Sequence, residues 1–291
     1  MPTQGVNSSR QEGDSLLAAD HGLPQLLLSR FHLAAERLER SSHGYTIMPN
    51  DTDAQTVGLS SKLVEELMRE AKISPGEIVG YEAYRGYLDS TRVEIANKLL
   101  VRNGLDTQLY AAVTEDIVCS AHTLIETYSA RTAVIRIRIG PPPEGEDRWH
   151  FDESRSGQFP RAVKCYNTNG PEFKQAGGLA SDSSFIDSVN RAHVCATWLK
   201  RPNTFFSLLR PEITVDVHKL ERAHTALVEA RLRILLNAVN PLIEPLPLEQ
   251  TAAGDLTLLN MHNSETARPA ALHAGGHSLD WRLVAVFDLF A

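Results

Sequence analysis

The sequence predicts an α+β fold built on an antiparallel sheet. Three observations carry that reading. Helical patterns fill the first half of the chain, strand patterns follow, one long helix interrupts them, and strands close the sequence. Helices and strands segregated in this way point to α+β rather than to a doubly wound parallel sheet. Thr132 to Ile139 alternates strictly, T-A-V-I-R-I-R-I, which is the period of a half-buried strand. No Gly-rich loop joins a strand to a helix, so the Rossmann and P-loop fingerprints are absent.

Met1–Asp14 is polar and lacks the basic start and apolar middle of a secretory signal, and residues 1–20 read as a flexible tail. Residues 21–291 read as one domain, with a helical part over 21–130 and a strand-rich core over 131–291. Pro24 to Arg40 has a helical apolar period, and Pro24 suits a first helical position. Ser60 to Lys72 opens on a Ser cap and sets Leu63, Val64, Leu67 and Met68 on one face. Val93–Val101 and Leu109–Tyr128 repeat the style. Beyond Ile139, Pro141 to Pro143 stop the strand. Trp149–Glu153 and Arg161–Asn167 are further strand candidates, the second closed by the turn Asn169-Gly170-Pro171. Gly177 to Ser184 reads as a Gly/Ser loop. A helix near 215–239 carries Val217, Leu220, Leu227, Val228, Ile234 and Leu235 as a stripe, with Pro241 as its stop. Leu256–Met261, Ala270–Ala274 and Arg282–Phe290 are the closing strands.

Composition narrows the function classes. The 291 residues are 42% hydrophobic and 22% charged, a globular balance. Lys plus Arg is 29 against 36 Asp plus Glu, a net charge of −7, which lacks the basic footprint of a nucleic-acid binder. Three widely spaced cysteines make neither a disulfide framework nor a zinc ribbon and suit a cytoplasmic protein. No apolar run of membrane-spanning length occurs.

Trp149-His150-Phe151-Asp152 is the sharpest local feature. Residues two apart on a strand share a face, so His150 and Asp152 project together as two legs of a metal site. The same pair also fits a surface histidine beside a strand-end carboxylate, since 11 histidines in an acidic chain produce about one His-x-Asp by chance. His273 ends a short strand candidate, and Arg282 follows inside the apolar last strand. An arginine there needs an anionic partner, either a ligand carboxylate or a structural acid such as Asp288.

The order His150-x-Asp152, then His273, then Arg282 resembles the Fe(II)/2-oxoglutarate-dependent oxygenase superfamily. Gly254-Asp255 and Asn169-Gly170-Pro171-Glu172-Phe173 are similar to recurrent turns of that superfamily. The resemblance covers roughly 130–291. It implies a distorted double-stranded β-helix of the jelly-roll, cupin-like type, backed by the N-terminal helices, with the long helix as an insertion. It implies Fe(II) on His150, Asp152 and His273, with 2-oxoglutarate and O2 as cosubstrates. Arg282 would meet the far carboxylate of 2-oxoglutarate. His262 and His277 are alternatives to His273 as the distal ligand.

Arg136 and Arg138 share one face of the first strand. They line the barrel interior as sites for an anionic cosubstrate, or they sit on a solvated face. Tyr166 is a candidate hydrogen-bond donor to 2-oxoglutarate, and Arg161 a candidate for the substrate end. Glu144–Arg148 and Gly177–Ser184 are candidate lids. The expected activity is hydroxylation of a small molecule such as an amino acid or natural-product intermediate. The alternatives are a cupin-like metal-dependent isomerase or hydrolase without 2-oxoglutarate, for which Arg282 is not required, and a non-catalytic binding barrel.

Overall fold

The computed structural model describes residues 25–49, 58, 61–62, 64–65, 78–84, 107–140, 148–153, 159–200, 217–263, 265–266, 268–275 and 281–291. The tail, Val93–Val101, most of Ser60–Lys72, Glu144–Asp147 and His277 lie outside these residues.

Four helices are described: α1 (Gln25–Arg40), α2 (Thr107–Thr127), α3 (Ser183–Lys200) and α4 (Val217–Ile243). Among the described residues ten strands form two antiparallel sheets. The first sheet has six strands in the order β1 (Tyr45–Met48), β8 (Leu256–Leu259), β5 (Arg161–Cys165), β10 (Arg282–Phe290), β3 (Thr132–Gly140) and β2 (Ile78–Tyr84). The second has four, in the order β4 (His150–Phe151), β9 (Leu272–Ala274), β6 (Glu172–Lys174) and β7 (Leu248–Gln250). The chain crosses from one sheet to the other at nearly every step from β3 to β10. The mixture of helices and antiparallel sheets is the α+β class read from the pattern.

Alternation explains how the six-stranded sheet divides its faces. Ile135, Ile137 and Ile139 of β3 and Leu283, Ala285, Phe287 and Leu289 of β10 are buried in one apolar cluster. Ile117, Val118, Ala121, Leu124 and Ile125 of α2, and Phe31, Ala34 and Leu38 of α1, pack in the same cluster. Each large side chain fully buried there contributes about 1.5–3 kcal/mol of apolar transfer. With the odd positions committed to this core, Arg136, Arg138, Arg282, Val284 and Val286 turn to the other face, toward the second sheet.

The structure corrects several expectations. The part read as helical holds two strands, β1 and β2. The first is four residues long and pairs with β8, and the second pairs with β3. Both are distant pairings, which a local helical pattern does not register. Gly177–Ser184 is not an open loop. Gly177–Ser181 is a 3-10 turn whose Ala180 is fully buried and accepts a bond from Ala270 N–H at 2.8 Å. Asp182 then caps α3, its Oδ1 accepting from the N–H groups of Ser184 and Phe185 at 2.9 and 3.2 Å. Phe185, Ile186, Val189, Ala192 and Ala196 form the buried stripe of that helix.

The long helix runs past Pro241 to Ile243, because a proline in the last turn gives up only one late bond. Its inner face is also rotated from the expected stripe. Val239 and Ile243 are buried, while Leu227 and Ile234 are 67% and 70% exposed.

Candidate metal centre

His150 and His273 stand directly opposite each other on β4 and β9, with ring centroids 4.4 Å apart. Asp152 follows β4 and turns to the same side. The ligand atoms of His150, Asp152 and His273 all lie within 4.8 Å of one another, and no other such group occurs among the described residues. His150 Nε2 is 3.8 Å from Asp152 Oδ1, and His273 Nε2 is 3.5 Å from Asp152 Oδ2.

Short β4 is held in place from outside the sheet, since Asn190 of α3 accepts the Phe151 N–H at 2.9 Å. The Asp152 carbonyl accepts the N–H of His262 at 2.6 Å. His262 therefore contributes backbone next to the cluster and is not a member of it.

Both rings are oriented by their second nitrogen. His150 Nδ1 faces the Arg148 carbonyl at 2.9 Å, and His273 Nδ1 faces that of Ala271 at 3.1 Å. A carbonyl only accepts, so each Nδ1 carries a proton and each Nε2 is the nitrogen turned to the centre. Burial, and then the neighbouring His150, lower His273 to about 4, so it is neutral near pH 7. Burial pushes the Asp152 carboxyl up, but His273, Arg161 and His150 outweigh it and hold it at about 2. Neutral imidazole and ionised carboxylate are the states that bind a cation. The donor set and its protonation thus fit a divalent metal.

The cluster lies in a cavity of about 180 Å³ between the two sheets. Arg136, Arg138, Arg161 and Arg282 also line it, as do Val163, Val284 and Val286. Arg282 is 4% exposed, and its Nη1 donates to the carbonyl of Gly275, two residues beyond His273. Arg161 Nη1 donates to Asp152 Oδ2 at 2.5 Å, and its Nε to Asp288 Oδ1 at 2.7 Å. Arg136 Nη2 donates to the other oxygen of Asp288. Asp288 thus pairs with Arg136 and Arg161, not with Arg282.

Tyr166 is the exception among the expected site residues. It is buried on the helix side of the sheet, where its hydroxyl donates to Asp116 Oδ2 at 2.7 Å. Burial and then the Asp116 charge raise its hydroxyl well above the usual value. Tyr166 directly follows β5, and its offset of five from Arg161 is odd, so the two side chains leave on opposite faces.

Asp288 enters the sequence analysis only as a possible partner of Arg282, yet it lies six positions from Arg282, an even number, so alternation sets it on the cavity face beside Arg136 and Arg161. Two further residues carry no signal in the sequence. Asn167 bonds the backbone on both sides of Arg282, a contact between distant segments that no local pattern reveals. His193 of α3 stacks on His150 with centroids 4.4 Å apart, and the pattern analysis assigns no element to its segment.

No helix among the described residues is long and apolar enough to cross a membrane. No protein-family model matches the chain, and no curated protein matches it. Among solved structures it is similar to a prolyl hydroxylase in complex with a hypoxia inducible factor oxygen degradation domain peptide fragment from Trichoplax adhaerens, at 8% sequence identity and a TM-score of 0.40, over 93% of this chain and 94% of that one.

Proposed function

We propose that the protein is a non-haem Fe(II)/2-oxoglutarate-dependent oxygenase that hydroxylates a small molecule. The observation that carries this reading is the meeting of two histidines and one carboxylate in a cavity that a buried arginine also lines. Two imidazoles and a carboxylate occupy three positions on a metal and leave the rest open, the arrangement suited to Fe(II) that must also bind a cosubstrate and O2. His150, Asp152 and His273 hold the metal. Once bound, Fe(II) with 2-oxoglutarate supplies the oxidising chemistry.

The remaining steps belong to the chain. Arg282, fixed beside the end of β9, receives the far carboxylate of 2-oxoglutarate in a two-point contact. Val163, Val284 and Val286 give the cavity an apolar wall. Arg136 and Arg138 bring positive charge to the same wall, which favours anionic groups in the cavity. The eight strands from β3 to β10 change sheet at every step except β6 to β7, which supports a distorted double-stranded β-helix with α3 and α4 inserted between β6 and β7.

The test is an anaerobic titration of 2-oxoglutarate into the Fe(II)-loaded protein. Bidentate binding gives a metal-to-ligand charge-transfer absorption that saturates with one cosubstrate per chain. Metal binding without that absorption would favour a cupin-like isomerase or hydrolase instead.

A further inference from the structure

Asp152 has one oxygen already engaged. Arg161 Nη1 lies 2.5 Å from its Oδ2, which is also 3.5 Å from His273 Nε2, while Oδ1 takes no hydrogen bond from Arg161 and lies 3.8 Å from His150 Nε2. The guanidinium is not loose. Arg161 sits opposite Asp288 in the β5–β10 register, and its Nε donates to Asp288 Oδ1 at 2.7 Å. Arg136 from β3 takes the second oxygen of Asp288, so that carboxylate is pinned on both sides. Three neighbouring strands of the six-stranded sheet therefore hold one guanidinium against one carboxylate of the metal cluster. A planar fork braced at Nε and donating from Nη1 fixes direction as well as distance.

We propose that Arg161, braced by Asp288, is a positioning residue that reserves Oδ2 of Asp152 and leaves Oδ1 as the single oxygen offered to the metal. The proposal rests on the reading of His150, Asp152 and His273 as metal ligands. A carboxylate with both oxygens available would close on the ion with two bonds and take a position that a cosubstrate needs. With Oδ2 held by Arg161, the three protein ligands leave three positions of an octahedral ion open.

Mn(II) in the full chain provides the test, because the water-proton relaxivity of bound Mn(II) scales with the number of metal-bound waters. The unmutated chain binds one Mn(II), and His150→Ala abolishes that binding. Arg161→Leu still binds one Mn(II), but its relaxivity falls by about one third as open positions drop from three to two. Asp288→Asn, which keeps the arginine and removes its brace, moves the same way by less. Arg161→Lys, with a single point of contact, recovers part of the loss. Equal relaxivity in the unmutated chain and in both Arg161→Leu and Asp288→Asn would overturn the proposal and make Arg161 a counter-ion only. If His150→Ala binds Mn(II) as the unmutated chain does, the ligand assignment itself fails, and the role of Arg161 with it.

Discussion

Asn167 grips the chain on both sides of Arg282. Its Nδ2 donates to the Trp281 carbonyl at 3.0 Å, and its Oδ1 accepts the Leu283 N–H at 2.8 Å. Arg282 therefore leaves the start of β10 from a backbone fixed at each neighbour, and its guanidinium reaches the Gly275 carbonyl beside β9. An anchor for a carboxylate needs this kind of preorganisation, because each freedom it retains weakens the contact it makes.

Arg282→Ala should weaken 2-oxoglutarate binding to the Fe(II) protein by roughly a hundredfold or more, since a pair of charge-assisted hydrogen bonds at about 1.5–3 kcal/mol each is lost. Metal content should not change, because Arg282 is not a ligand. Lys at this position should restore only part of the affinity. Asn167→Ala should shift the same titration in the same direction by less, as the arginine remains but its backbone is released. An unchanged affinity in Arg282→Ala would remove the anchor role.

Tyr166→Phe should leave the 2-oxoglutarate titration untouched, because the hydroxyl points to Asp116 and not into the cavity. Its effect belongs to stability, a loss of about 1–3 kcal/mol from one buried hydrogen bond in chemical denaturation. A large loss of cosubstrate affinity with intact stability would contradict the placement of this side chain.

Asp116 is the centre of a charged cluster under the sheet. Both its oxygens accept from Lys164 Nζ, at 2.9 and 2.8 Å, and Oδ2 also accepts from Tyr166. Asp116→Ala strands the buried Lys164 ammonium and should cost about 3–5 kcal/mol, read as a lower denaturation midpoint. Replacing Asp116 and Lys164 together by apolar residues should recover much of that loss, because the uncompensated charge is gone.

Gly44 precedes β1 with φ +76°, and a Cβ there would lie less than 3.0 Å from the backbone of Pro269 and Ala270. The Asn260 N–H also donates to its carbonyl at 2.7 Å, which ties this turn to the end of β8. Gly44→Ala should destabilise the protein by about 2–5 kcal/mol, from left-handed backbone strain plus overpacking. A thermal melt equal to that of the unmutated chain would show that the close approach is absent.

What could be read from the sequence follows from where each signal resides. Alternation in Thr132–Ile139 correctly separated the isoleucines that face α1 and α2 from Arg136 and Arg138, because period two is a property of the strand alone. The same rule, applied to positions 161 and 166, separates Arg161 from Tyr166. His150 and Asp152 shared a face for that reason too. Strands β1 and β2 were missed, since their partners lie far along the chain in β8 and β3. Helix α3 was missed although Asp182 and the spacing of Phe185, Ile186 and Val189 carried its signal, because the glycines and serines before it dominated the local reading. The bracing of Arg161 by Asp288 and Arg136 depends on the register of three strands, which no single segment encodes.

The most direct test of the central claim is the Fe(II) content of the anaerobically loaded chain, measured for the unmutated protein and for single alanine variants. One Fe(II) per unmutated chain is expected, with none retained by His150→Ala, Asp152→Ala or His273→Ala and a full complement retained by His262→Ala. All four variants should keep the circular dichroism of the folded protein. Stoichiometric iron in His150→Ala or Asp152→Ala would contradict the site, and iron kept by His273→Ala but lost from His262→Ala would move the distal ligand.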